Sequence, residues 1–202
     1  MEVAIIKYNA GNIMSVELAL KRLGVNATIT ADPDFIRRAD RVIFPGVGEA
    51  STTMAYLREH KLDTLITSLK QPVLGVCLGL QLMCSHSEEG DVDCLGIFPE
   101  KVKKFVPEPG QENITKVPHM GWNSISNLKS DLFDASLENQ YVYFVHSYYA
   151  AAGDDTAAVC NYITPFSAAL QRDNFYATQF HPEKSGPIGA RILENFINLK
   201  AR

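Results

Sequence analysis

Cysteine is scarce and badly spaced for structural roles. The four cysteines stand at positions 77, 84, 94 and 160 with no CxxC pair among them. That pattern excludes a zinc ribbon or finger. The five histidines, His60, His86, His119, His146 and His181, form no HExxH motif, so no metal and no cofactor are expected. The start, MEVAIIKYNAGN, lacks the basic lead and long apolar run of a signal peptide. The longest apolar clusters, such as Val73 to Cys77, are too short to span a bilayer. The expectation is a cytoplasmic chain with no membrane segment and no disulfide framework. A broad basic footprint is also missing: net charge is −4, and the densest basic run is Lys101, Lys103 and Lys104. Nucleic-acid binding is not expected. There are no repeats, no low-complexity tracts and no proline- or glycine-rich linker, which predicts one domain over residues 1–202.

What is present alternates between two periods. Glu2 to Tyr8 reads as a strand, and Val16, Ala19, Leu20 and Leu23 then recur at helical spacing up to a terminating Gly24. Val25 to Thr30 is β-branched at positions 25, 28, 29 and 30, and Arg41 to Phe44 is a third apolar run. The stretch to about Ser68 reads as mostly helical, Pro72 to Val76 as strand, and Leu78 to about His86 as helix. Beyond this the strand-like segments are Val92–Val106, Ile114–Val117, Tyr141–Tyr149, Ala157–Tyr162, Ala168–Arg172 and Phe175–Gln179, and Gly189 to Lys200 is a closing helix. Strands alternating with helices and then following one another directly predict an α/β fold: a central, mostly parallel sheet with flanking helices and an antiparallel extension.

Three segments carry chemistry. In PVLGVCLGLQLM, Cys77 ends an apolar strand where a helix begins, flanked by Gly75 and Gly79. Small residues on both sides permit a sharp nucleophile elbow, with the Leu78 N–H placed where an oxyanion would form. In FHPEKSG, His181 follows a strand, and Glu183 stands two residues on, able to orient the imidazole if the turn folds back. Pro45-Gly46-Val47-Gly48 ends the third strand at the edge where parallel α/β sheets bind ligands. It lacks the Lys-Ser/Thr ending of a phosphate-binding loop. His146, in FVHSYYA, reads as pocket lining, and His60 and His86 as surface residues. Pro118 to Asn123 shows no clean period and reads as a loop carrying Met120 and the single tryptophan, Trp122.

Together these segments resemble the class I, or triad, glutamine amidotransferases, which carry G-x-C-x-G, H-x-E and a P-G-x-G oxyanion loop in this order along the whole chain. Within that family the chain is most similar to the branch that supplies ammonia for imidazole glycerol phosphate in histidine biosynthesis. Tyr8-Asn9-Ala10-Gly11-Asn12, Pro118-His119-Met120-Gly121-Trp122-Asn123 and His146-Ser147-Tyr148 carry that likeness. The resemblance implies Cys77, His181 and Glu183 as the catalytic set, and an oxyanion hole from Val47, Gly48 and Leu78. It implies substrate contacts to L-glutamine from Gly46, Gly48, Gln81, Glu89, His146, Ser147 and Tyr148. It also implies a heterodimer with a (β/α)₈ synthase docked on Asn12, Met120, Trp122 and Asn123. One position departs: the family often has glutamate eight residues after the nucleophile, where this chain has Ser85, with Glu88 and Glu89 close by. The rival readings are a glutaminase serving pyridoxal phosphate or anthranilate synthesis, a cysteine peptidase or isomerase on a similar fold, and a non-catalytic subunit with a vestigial pocket.

Overall fold

The structure, a computed structural model, describes residues 1–8, 13–110 and 115–199. Asn12, expected at an interface, lies outside them, as do Asn9 to Gly11. In chain order the elements are β1 (Val3–Ile6), α1 (Ile13–Arg22), β2 (Ala27–Thr30), α2 (Pro33–Arg38), β3 (Arg41–Gly46), α3 (Ala50–Glu59), α4 (Leu62–Ser68), β4 (Val73–Cys77), α5 (Leu78–Met83), β5 (His86–Ser87), β6 (Val92–Asp93), β7 (Lys101–Lys104), β8 (His119–Ser124), β9 (Tyr141–His146), β10 (Tyr148–Ala150), β11 (Thr156–Asn161), β12 (Pro165–Arg172), β13 (Phe175–Thr178) and α6 (Gly186–Ile197).

Seven strands form the main sheet in the order β11-β12-β13-β4-β3-β1-β2. From β13 to β2 all neighbours are parallel, and β12 and β11 extend the sheet antiparallel. The expected fold class is what the chain adopts. The strand period sorts the core. Ala4, Ile6, Val42 and Phe44 face a cluster with Ile36, Met54, Leu57, Leu65, Leu80 and Leu82 from α2 to α5. The alternate residues Val3, Ile5, Ile43, Leu74 and Val76 face Val16 and Leu20 of α1 and Leu193 and Phe196 of α6. Both faces are covered, as a parallel sheet requires. Buried Arg41 donates from Nε to Phe196 O at 3.4 Å and from Nη2 to Leu199 O, which ties β3 to the end of α6 and the residues after it.

Four expectations change. The stretch Val92–Val106, read as one strand, holds only β6 and β7, because Cys94 N–H donates to Ser85 O and Phe98 N–H to Met83 O and the chain between them leaves the strand path. The helix after Cys77 stops at Met83 rather than near His86, because Ser85 N–H donates to Glu100 O and Gly96 N–H to Cys84 O, drawing the next residues into the small sheet β10-β7-β5-β6. Residues 115–117 form no strand. Pro118 to Asn123 is largely strand and not loop: β8 pairs antiparallel with β9 from His119↔His146 to Ser124↔Tyr141. Gly121 hides the alternation, in which His119 is buried while Met120 and Trp122 point outward.

The elbow depends on a close approach. A Cβ on Gly79 would lie 2.1 Å from the Phe44 carbonyl oxygen of β3. No side chain fits there, and backbone on both sides cannot yield cheaply. Gly79→Ala is therefore expected to lower stability by about 3 kcal/mol, read as a reduced denaturant midpoint, and to displace α5 from β3. A variant as stable as the parent would show that this contact relaxes freely.

Candidate active site

Cys77 closes β4 at the carboxyl edge of the sheet, between β3 and β13. Its backbone has φ 54° and ψ −108°, a strained conformation for a residue with a side chain. The strain turns the chain abruptly from β4 into α5. Gly46, in register with Cys77, packs so tightly that an added Cβ would meet Tyr8 Oη at 2.6 Å and Leu78 Cβ at 2.9 Å. Tyr8 Oη also donates to Pro45 O, fixing the base of the Pro45–Gly48 loop. Beyond the loop, Glu89 accepts from Ala50 N–H at 2.9 Å. Burial raises the pKa of Glu89 above the usual carboxylate range, and Glu49 adds to this; the Ala50 N–H opposes both.

β13 leads into His181 and a 3₁₀ turn, Pro182–Lys184, that folds Glu183 back as the sequence required. His181 Nδ1 and Glu183 Oε1 are 2.7 Å apart, with side chains 1% and 0% exposed. Ser185 Oγ donates to His181 O at 2.7 Å and accepts from Tyr143 N–H at 2.9 Å, clamping the turn to β9. Burial works to lower the His181 pKa, but Cys77 and Glu183 outweigh it and push it up to about 9. The imidazole thus keeps its proton through neutral pH when the sulfur is anionic. His181 Nε2 is buried on the Cys77 side, and the sulfur helps to hold its proton.

A pocket of about 360 Å³ brings these parts together. Val47, Gly48, Cys77, Leu78, Gln81, Glu89, His146, Ser147, Tyr148 and His181 all line it. Gly46 and Glu183 stand behind this wall. Both amide hydrogens of Gln81 are engaged inside the protein, on Tyr148 O at 2.9 Å and Gln179 Oε1 at 3.0 Å. Only Gln81 Oε1 remains to meet a ligand. Ser85 turns away, its hydroxyl donating to Pro99 O and Glu100 O, so Glu89 supplies the carboxylate at the pocket. Of the residues expected at an interface, Met120 and Trp122 are 63% and 54% exposed, while the Asn123 amide is engaged internally. Sequence reasoning missed Pro118, Val145 and Lys184 in the lining and Gln179 beside Cys77. Gln179 did carry a signal, as a polar residue next to Phe180 at the end of an apolar strand. Among the described residues no group of three or more His, Cys, Asp or Glu could hold a metal ion.

His146 lines the pocket and braces its wall. Its Nδ1 donates to Tyr148 O at 2.7 Å, and its Nε2 faces His119 Nδ1 at 3.1 Å. Burial pushes the His146 pKa down to about 3; the Tyr148 carbonyl opposes this, while His119 and His181 reinforce it. Burial alone takes His119 down to about 4.

An elbow cysteine, a buried His–Glu pair and a pocket opening on both make up the equipment of a thiol-dependent amide-cleaving enzyme. The chain belongs to the class-I glutamine amidotransferase family, which it matches over residues 5–199. It is 63% identical over 199 residues to imidazole glycerol phosphate synthase subunit HisH of Bacteroides fragilis strain YCH46, covering 98% of this chain and 100% of that one. It is 43% identical over 198 residues to the HisH subunit of Haemophilus influenzae strain Rd, covering 98% and 97%. A crystal structure described as that of a GMP synthase component from Thermoplasma acidophilum superposes with TM-score 0.74 at 20% identity, over 98% of this chain and 92% of that one, a likeness of fold.

The downward shifts of the histidine pair predict that the protein is acid-sensitive. Both folded-state values lie below the ordinary 6.5, so the stability they contribute is full above about pH 6.5 and is lost as pH falls toward 4 and 3. The expected result is a melting temperature that falls by on the order of 5 °C across this window, and falls less in His119→Gln, which has one titrating ring fewer. Equal slopes in parent and variant would assign the acid sensitivity to other groups.

Proposed function

We propose that the chain is the glutaminase subunit of an imidazole glycerol phosphate synthase of histidine biosynthesis. The line from the Cys77 elbow to the buried His181–Glu183 pair carries the glutaminase reading. The end-to-end likeness to HisH subunits, at up to 63% identity, favours this pathway over pyridoxal phosphate or anthranilate synthesis.

Glutamine enters the pocket with its side-chain amide over Cys77. Its amino-acid end lies toward Gln81 Oε1, Glu89 and the backbone of His146 to Tyr148, with Gly46 and Gly48 giving close backbone approach. Cys77 Sγ attacks the amide carbon, and the thiol proton resides on His181 Nε2. The N–H of Leu78 and an N–H of the Val47–Gly48 loop hold the tetrahedral oxyanion. Collapse breaks the C–N bond, His181 gives its proton to the departing ammonia, and a γ-glutamyl thioester remains. Water, losing a proton to His181, attacks the thioester and releases glutamate and the sulfur. Glu183 keeps the imidazole in position throughout. No cofactor or metal is needed.

Ammonia passes to a (β/α)₈ synthase partner and, with a phosphoribosylated ribulose-type intermediate, gives imidazole glycerol phosphate and an aminoimidazole carboxamide ribotide. Exposed Met120 and Trp122, side by side on the outer face of β8, suit a docking surface for that partner in a heterodimer. No helix among the described residues is long and apolar enough to cross a membrane, in keeping with work in the cytoplasm.

A glutamine analogue bearing a side-chain electrophile should label Cys77 alone in peptide mapping. The other thiols are held protonated by burial: Cys94 and Cys160 are pushed up to about 12, and Cys84 is raised inside the core. Glutamine hydrolysis should fall by at least about 10³-fold in His181→Asn and by less in Glu183→Gln. Label on another cysteine, or near-parent rates in both variants, would refute the assignment. For the partner, synthase bearing its ligand should raise glutaminase turnover of the otherwise slow chain, and Trp122→Ala should weaken binding by about tenfold or more in titration calorimetry. Full affinity and coupling in that variant would place Trp122 outside the interface.

A further inference from the structure

Gln179 is fully buried between β13 and His181, yet it is an amide where a methionine would pack as well. Its main chain is fixed by Gln179 N–H donating to Ala168 O at 2.8 Å. Its side chain lies between Gln81 and the nucleophile, with Nε2 3.7 Å from Cys77 Sγ, within reach for a hydrogen bond to sulfur. The orientation of this amide follows from chemistry. Tyr148 O can only accept, so the Gln81 atom against it is the NH₂. The same NH₂ faces Gln179 at 3.0 Å, so the Gln179 atom there is the oxygen. The nitrogen of Gln179 is then the atom left facing sulfur, as a donor.

We propose that Gln179 is a further catalytic residue, whose side-chain amide donates a hydrogen bond to Cys77 Sγ and stabilises the sulfur whenever it carries negative charge. This rests on the reading of Cys77 as nucleophile. A thiolate is a strong acceptor, whereas a thiol or thioester sulfur is a weak one. The bond therefore strengthens as Cys77 loses its proton and weakens as the S–C bond forms. It strengthens again when water has added to the thioester and the sulfur departs with the bonding electron pair. The Gln81 contact keeps the amide from rotating its oxygen toward the sulfur, so Gln81 acts in this as a positioning residue.

The test is the rate of Cys77 alkylation by iodoacetamide across pH, with the label located by peptide mapping. It needs neither glutamine nor a partner, so it can fail separately from the glutaminase assignment. Gln179→Met keeps the shape and removes the donor. Cys77 alkylation should slow about tenfold near pH 7, and the deficit should shrink as pH rises. Glutamine turnover should fall about tenfold, with KM changed by less than about twofold. Gln179→Glu, which retains an acceptor for Gln81 but sets a carboxylate against the sulfur, should fall further. In the unaltered protein, the Gln179 side-chain amide proton resonance should move with pH in step with the alkylation rate. Alkylation at the parent rate in a folded variant, a deficit equal at every pH, or a Gln179 amide resonance indifferent to pH would each overturn the proposal. Should neither variant fold, the resonance measurement decides.

Discussion

Where the first turn of α5 crosses β3, backbone meets backbone: the Gly79 Cα lies against the Phe44 carbonyl with no space for a further atom. Much of the site's geometry follows from that contact. To bring α5 so close, the chain must reverse within one residue of the end of β4, and Cys77 takes the strained conformation that makes this possible. Such strain costs about 1–3 kcal/mol and persists only where the surroundings over-determine it. Here they do. Leu78, Leu80 and Leu82 pack into one core cluster with Phe44, and Val76 and Cys77 into the cluster on the opposite face. The same approach brings Leu78 against Gly46, so that elbow and loop close on each other from adjacent strands.

The sheet order then brings in the histidine. β13 is late in sequence but inserts beside β4, in register from Phe175↔Val73 to Thr178↔Val76. Two strands that end level place their following residues at the same height, so Gln179 and His181 come down beside Cys77. Electrostatics separates the histidines that result. His181 has a carboxylate on one side and the sulfur on the other, which holds it protonated toward pH 9. His146, buried against a carbonyl and a neutral ring, is held neutral. Opposite shifts on two nearby rings separate one suited to carry a proton from one suited to stay neutral in a wall.

Part of this is legible in the sequence. The alternation of Val3 to Ile6 and Arg41 to Phe44 marks the strands, and glycine on either side of Cys77 marks the elbow, because both are local patterns. The insertion of β13 at the centre of the sheet is a long-range pairing with no local trace. β8 reads as a loop because Gly121 breaks its alternation, yet pairing with β9 along its length outweighs a weak intrinsic preference. Gln81 is legible as a residue of the pocket, but its hold on the Gln179 amide is not. That role depends on where Tyr148 O and Gln179 meet it, which requires two strands distant in sequence.

The wall opposite the elbow can be followed donor by donor. Tyr148 O accepts from Gln81 and from His146 Nδ1, so His146 Nε2 bears no proton and accepts from His119 Nδ1. His119 Nε2 must then accept in turn, and the Asn123 NH₂ faces it at 3.4 Å while also donating to Asn161 O at 2.9 Å. The Asn123 amide cannot be reversed, because its oxygen already accepts from Ser124 N–H at 2.8 Å. The string thus begins and ends on carbonyls, which can only accept, and each nitrogen between them has one forced role. A proton added to either ring would set N–H against N–H in a buried space, which is the structural counterpart of the downward pKa shifts of both histidines. Because β8 alternates, the residue that enters this string, His119, lies between the wall and a strand whose opposite face carries Met120 and Trp122. The pocket wall at residues 145–148 is therefore tied through His119 to the strand whose outer face carries Met120 and Trp122, by hydrogen bonds between neutral groups.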